Sequence, residues 1–114
     1  MAVVDDHPLV REGTAALVDR QPEMEIAGTA ADLDELREIL RSTQVDVLLL
    51  DLRLGEESGF DLLRHESGGH MPAVVVVTSY DYPQYADAAL RLGAAGFVVK
   101  TAPTAELLDA IRSA

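Results

Sequence analysis

A chain of 114 residues, 48% of them hydrophobic, fits one domain with a real core and leaves no room for a second. It contains no Cys, which removes disulfides, thiolate metal sites and cysteine nucleophiles together. With 20 acidic residues against 9 basic ones the formal net charge is -11, which repels a phosphate backbone and argues against direct nucleic-acid binding by this domain. The N-terminus runs straight into Val3 and Val4 without a basic leader. No apolar run approaches the roughly 20 residues of a membrane span, so a soluble cytoplasmic protein with no membrane partner is expected.

Short apolar runs alternate with segments of helical period, the signature of repeated βα units around a parallel sheet. Ala2 to Val4 reads as a first strand. Pro8 then opens a helix with Leu9, Val10, Gly13, Ala16 and Leu17 on one face, ending before Pro22. Met24 to Ala27 is a weak second strand. Asp32, with Glu35 three residues on, starts a helix that buries Leu33, Leu36, Ile39 and Leu40. Val45 to Leu50 is a third strand ending on Asp51, and Ser58 caps a short helix carrying Phe60, Leu62 and Leu63, with Gly68 and Gly69 as its stop. Ala73 to Val77, an uninterrupted run built for a strand covered on both faces, comes fourth. Pro83 opens the next helix and Gly93 closes it. Gly96 to Val99 is the fifth strand, and Leu107, Leu108 and Ile111 mark the last helix. The expected fold is one α/β domain over residues 1–114, a flavodoxin-like, doubly wound (βα)5 parallel sheet of strand order 2-1-3-4-5.

In that fold the polar residues fall on one edge. Asp5 and Asp6 end the first strand, Asp51 the third, Thr78 the fourth and Lys100 the fifth. Open parallel sheets bind ligands at this C-terminal edge, and the switch point between strands one and three would bring Asp5, Asp6 and Asp51 together. Carboxylates so close raise one another's pKa and favour a bound cation. All-oxygen ligation suits Mg²⁺, which keeps waters and so leaves room for a phosphoryl oxygen. Phosphoryl transfer needs positioning and charge neutralisation more than acid-base groups, so a metal, an ammonium and a hydroxyl suffice. Lys100 and Thr78 supply the last two.

Val-Val-Asp-Asp-His-Pro at 3–8, Asp-Val-Leu-Leu-Leu-Asp-Leu-Arg at 46–53, Val-Val-Thr-Ser-Tyr at 76–80 and Gly-Ala-Ala-Gly-Phe-Val-Val-Lys at 93–100 together resemble a response-regulator receiver domain. The likeness is strongest to receivers of two-component regulators with a LuxR-type helix-turn-helix output. It implies a phosphoacceptor signalling domain rather than an enzyme in the usual sense. Asp51 would be the phosphoacceptor, with Mg²⁺ (or Mn²⁺) held by Asp6, Asp51 and the backbone carbonyl of Arg53, and Asp5 helping through water. Lys100 and Thr78 would grip the phosphoryl oxygens, and Phe97 would be an aromatic switch altering an output face. The implied partners are a sensor histidine kinase, a second copy in a phosphorylation-linked homodimer, and DNA only through a separate output domain.

The departures are Leu54-Gly55 followed by Glu56 and Glu57, where the family commonly has Met-Pro, and Thr101, where it usually has Pro. The first predicts a looser, more acidic loop; the second bears on the cis peptide that normally aims Lys100. Each of these residues has a plainer reading as well: Asp6 as a helix cap, Asp51 as a turn residue, Lys100 as a solvated charge, and Thr78 and Ser79 as a cap. Their coincidence on one edge outweighs these. A Mg²⁺-dependent phosphohydrolase would need a second acid two residues past Asp51, where Arg53 stands, and a cap domain for which no residues remain. A pseudo-receiver, a dimerisation module never phosphorylated, is the other alternative. His7, His65 and His70 read as surface residues, with His7 a neighbour of the site. Tyr80, Tyr82 and Tyr85 mark a candidate partner surface.

Overall fold

The computed structural model describes residues 1–65, 72–79 and 82–114, apart from the His65 side chain. Five parallel strands form the central sheet: β1 (Ala2–Val4), β2 (Gly28–Ala30), β3 (Val47–Leu50), β6 (Ala73–Thr78) and β7 (Gly96–Val99). Their spatial order is β2-β1-β3-β6-β7. Only the labels depart from the expected 2-1-3-4-5: a separate two-stranded antiparallel ribbon, β4 (Arg53–Leu54) with β5 (Glu57–Ser58), intervenes in the chain, and counted among the five sheet strands alone the order is the same. The helices are α1 (Pro8–Asp19), α2 (Leu33–Ser42), α3 (Gly59–His65), α4 (Pro83–Arg91) and α5 (Thr104–Ser113).

Alternation along the strands divides the core. Ala2, Val4, Leu48, Leu50, Val74 and Val76 face one way, onto Leu33 and Leu36 of α2, Leu62 and Leu63 of α3 and Ala89 of α4. Val3, Leu49, Val75 and Val98 face the other way, onto Val18 of α1 and Leu107 and Ile111 of α5. Both faces are covered, which is why the strands carry almost no polar residue.

Helix α2 matches its expected start. The Asp32 carboxylate accepts the Glu35 N–H at 2.8 Å, and the Glu35 carboxylate reaches back to the Ala31 N–H at 3.1 Å. Phe60 N–H donates to the Ser58 hydroxyl at the start of α3, whereas the expected stop at Gly68 and Gly69 lies outside the described residues. Strand β3 is two residues shorter than expected, beginning at Val47.

Two local expectations are corrected. The second strand is Gly28–Ala30, not Met24 to Ala27. Its register on β1 starts at Ala2↔Gly28, while the preceding segment is tied to residue 1 by Ala27 N–H on the Met1 carbonyl and by the Met1 amine on the Glu25 carbonyl, both 2.6 Å. Met24 and Ile26 pack as connector residues against the α1/α5 core. Helix α2 packs close over this strand, since a Cβ at Gly28 would lie 3.0 Å from the Ile39 side chain. Helix α1 also turns a different face inward. Val18 is buried, and Ala15 and the expected Leu17 pack on the same core, while Gly13 and Ala16 are exposed and Leu9 is 84% exposed. The first turn of the helix is tied to the strand end, where the Arg11 guanidinium donates to the Asp5 carbonyl at 2.9 Å.

Candidate functional site

Period-2 alternation carries past the strand ends and explains which side chains meet. Asp5 follows Val3 and Asp51 follows Leu49 on the face toward α1 and α5, and Lys100 follows Val98 there. The register Val4↔Leu50 puts the two acids side by side. Lys100 Nζ lies 2.7 Å from Asp5 Oδ2 and 2.9 Å from Asp51 Oδ2. Both carboxyl groups are buried, each residue at 4% exposure.

Backbone amides hold the remaining carboxylate oxygens. Asp5 Oδ1 accepts the His7 N–H at 2.9 Å, and Asp51 Oδ1 accepts the Arg53 N–H at 3.3 Å. Asp6 Oδ2 accepts the Gly55 N–H at 2.8 Å. Asp6 Oδ1, by contrast, is a buried atom with no hydrogen-bond partner among the described residues. An orphaned carboxylate oxygen is costly unless something cationic meets it. Asp5, Asp6, His7 and Asp51 can each present a ligand atom, all within 4.8 Å of one another. Three carboxylates against one ammonium therefore form a donor set that fits a hard divalent cation.

The electrostatics agree. Burial pushes the Asp51 carboxyl above the ordinary aspartate value, with the Asp5 charge adding to it and the bonds from Lys100 and the Arg53 amide opposing it. Burial by itself would lower Lys100, but its bonds to Asp5 and Asp51 and their charges outweigh this and leave it raised.

The segment expected to be a loose loop after Asp51 is instead the β4–β5 ribbon, closed by Gly55 and Glu56. Gly55 has φ +64, which suits glycine at the first centre of a two-residue hairpin turn, and this turn aims its amide at Asp6. Gly59 was not singled out in the sequence. A Cβ there would lie 2.5 Å from the Asp51 carbonyl oxygen, so only glycine lets the start of α3 pass behind the acid. Arg11 was missed as well; its spacing of one helical turn from Pro8 is the available signal.

A cleft of about 350 Å³ opens over these groups, lined by Asp6, His7, Asp51, Arg53, Gly55, Ser79 and Lys100. Thr78 does not line it. It belongs to the opposite row with Val74 and Val76 and is fully buried, while Ser79 presents the accessible hydroxyl. Phe97 pairs with Val76 and packs, half-buried, against the α2/α3/α4 core, so Thr78 and Phe97 share a face of the sheet. The described residues contain no cis peptide, including the Lys100–Thr101 bond. His7 is exposed but bends its ring onto the acids. Tyr82 and Tyr85 stack edge-on at 5.5 Å, with Phe60 6.1 Å from Tyr85. Tyr80 and His70 lie outside the described residues.

Comparison with known proteins gives a concordant picture. The family model for the response regulator receiver domain matches residues 1–112. The chain is 33% identical over 115 residues to the transcriptional regulatory protein YxjL of Bacillus subtilis, covering 100% of this chain and 53% of that protein. It is 32% identical to the oxygen regulatory protein NreC of Staphylococcus haemolyticus, covering 99% and 53%. The chain thus spans about half the length of the curated relatives it matches. Among solved structures, a LuxR-family two-component response regulator from Aurantimonas sp. superposes with a TM-score of 0.90 at 34% identity, covering 98% of this chain and 81% of that one. The signal receiver domain of a NarL response regulator from Mycobacterium tuberculosis gives 0.87 at 30%, covering 97% and 90%.

Proposed function

This chain belongs to the response regulator receiver domain family, and from that premise we propose that it is a phosphorylation switch whose acceptor is Asp51. The observation that carries this reading is the buried Asp51 carboxylate, 2.9 Å from Lys100 and beside an Asp6 oxygen that accepts no hydrogen bond among the described residues. A carboxylate oxygen of Asp51 attacks the phosphorus of a phosphohistidine on a sensor histidine kinase. The bond from phosphorus to the imidazole nitrogen breaks, and that nitrogen keeps the electron pair and takes a proton from solvent. A divalent cation, Mg²⁺ or Mn²⁺, held by Asp5, Asp6, Asp51 and the Arg53 carbonyl supplies positive charge to the phosphoryl oxygens when bound.

The chain's own groups position the rest. Lys100 is tethered through its backbone N–H to the Thr78 carbonyl at 2.7 Å, so its ammonium can move from Asp51 to a phosphoryl oxygen without moving the strand. The phosphoryl group adds roughly 1.5 to 2 negative charges and three acceptor oxygens. Thr78 is drawn toward them, and because Phe97 packs on the same face, a shift of Thr78 is felt there. Two states separated by a few kcal/mol suffice for such a signal. The output follows through surfaces: homodimerisation of receivers and a DNA-binding domain outside this chain, in the cytoplasm. No described helix is long and apolar enough to cross a membrane.

The test is intact mass after incubation with acetyl phosphate and Mg²⁺, beside Asp51→Asn and a chelated control. One phosphate adduct that needs both Asp51 and metal is expected. No adduct in a folded, metal-binding protein would replace this reading with that of a dimerisation module that is never phosphorylated.

A further inference from the structure

A cleft distinct from the one over Asp51 opens between the β4–β5 ribbon and helices α3 and α4. It holds about 620 Å³, within the roughly 300–1,000 Å³ of ligand clefts. Phe60 of α3 and Tyr85 of α4 line it from the helices, and Glu56 and Glu57 line it from the ribbon. Arg53, which also lines the cleft over Asp51, is the one basic residue of its wall, so two acids stand against one base. The chain has two Phe, three Tyr and no Trp, and three of these rings form one row. The Phe60 and Tyr85 centroids are 6.1 Å apart and those of Tyr85 and Tyr82 5.5 Å. Tyr82 is 51% and Tyr85 36% exposed, so the row keeps ring area toward solvent. Across the cleft, Glu57 accepts the Leu33 N–H at 3.3 Å, and neither it nor Glu56 has an ion-pair partner among the described residues.

Ring faces carry negative charge density. With carboxylates beside them they select a flat cation that stacks on a face while its edge N–H groups reach the acids. The chain makes this arrangement once within itself, at the rim of the cleft: the Arg64 guanidinium carbon lies 5.9 Å from the Phe60 ring centroid, and its Nη1 lies 3.4 Å from Asp61 Oδ1. We propose that the cleft docks an arginine side chain of a basic protein partner, stacked along Tyr85 and Phe60 and paired with Glu56. A lysine fits less well, because its ammonium has no plane to lay on a ring. The net charge of -11 draws a basic partner toward the chain, and the aromatic row gives that partner a defined seat. This employs Tyr82 and Tyr85, to which phosphoryl transfer at Asp51 assigns no part.

The experiment is an NMR titration of the chain, without added metal or phosphodonor, with acetyl-hexaarginine amide and with acetyl-hexalysine amide, which carry the same charge. Expected are shifts of the Tyr85 and Phe60 ring resonances on adding hexaarginine, and a hexaarginine Kd about fivefold tighter than that of hexalysine. Tyr85→Leu should remove that preference and Tyr85→Phe, which keeps the ring, should retain it. Glu56→Gln should weaken hexaarginine about threefold, whereas Glu25→Gln, at the opposite edge of the sheet, should change both peptides equally. Equal affinity for the two peptides, or a preference that survives Tyr85→Leu, overturns the proposal and makes the peptides mere counterions of an acidic surface. A loss in Asp6→Asn as large as in Tyr85→Leu overturns it too, by placing the peptide over the acid site. No outcome here bears on Asp51 as phosphoacceptor, which the mass measurement tests separately.

Discussion

The two edges of the sheet make opposite use of charge. At the C-terminal edge a cleft of about 350 Å³ sits over Asp5 and Asp51, both buried and sharing one ammonium. At the N-terminal edge a larger cleft of about 770 Å³ lies among Met1, Met24, Ile26, Val47 and Ile111. Its charges face solvent: Glu25 and Asp46 are exposed, and the half-exposed Arg112–Glu23 pair closes to 2.8 Å, where backbone and Arg112 hydrogen bonds hold Glu23 below its ordinary value. Volume alone would choose the wrong edge. What marks a site is charge that the fold keeps buried without balancing it, because water would otherwise have taken that charge back.

The sharpest way to break this contrast is to remove the ammonium. Lys100→Ala leaves Asp5 and Asp51 buried with no cation from the chain, and should lower stability by about 3–5 kcal/mol near neutral pH, as for other broken buried pairs. Urea unfolding measures it, and an unchanged midpoint would show that the acids are not balanced by Lys100. Mg²⁺ should do the opposite, adding about 2.7 kcal/mol at a hundredfold excess over its Kd. Asp6→Asn should abolish that gain in thermal melts and Arg112→Ala should keep it; a gain equal in both variants would place the ion elsewhere. Gly59→Ala drives a methyl group into the Asp51 carbonyl and should cost about 1–3 kcal/mol by overpacking. The same substitution at exposed Gly13, whose Cβ would meet nothing within 4 Å, should not destabilise.

The smallest effect carries a sign. Because the folded-state pKa of Asp51 is raised, the folded chain binds more protons than the unfolded one between the ordinary aspartate value and the raised one. Stability attributable to this group therefore falls as pH rises through that window. Asp51→Asn should raise the Tm at pH 7 and flatten this fall, while Lys100 remains paired with Asp5. A Tm that drops would mean that the Asp51–Lys100 pair is net stabilising. Lys100 acts at the other end of the scale: its raised value gives stability that is complete below its unfolded pKa and is lost as pH rises through the folded one.

Much of the site could be read in advance because it depends on local pattern. Each strand is a short apolar run, so the first polar residue after it lies at the sheet's edge, and this fixed Asp5, Asp51 and Lys100 in place before any contact was known. The cap at Asp32 is equally local, a side chain meeting an amide three residues away. The second strand was not legible, since Met24 and Ile26 look more strand-like than Gly28 to Ala30. Only pairing with β1 and contact with Ile39 choose between them. Nor was the difference between Thr78 and Ser79, because neighbouring residues at a strand end part to opposite faces according to register.

The amino-acid sequence by itself determined the alternation of strands and helices, the edge on which the acids and Lys100 fall, and the composition of the donor set. These follow from periodicity and residue chemistry, which need no partner. The tertiary structure alone decided the inward face of α1, the β4–β5 turn that clamps Asp6, the closeness of Gly59 to Asp51, and the fold of His7 over the acids. Helix phase, turn conformation and side-chain approach are set by groups distant in the chain, and nothing local to the residues involved carries that information.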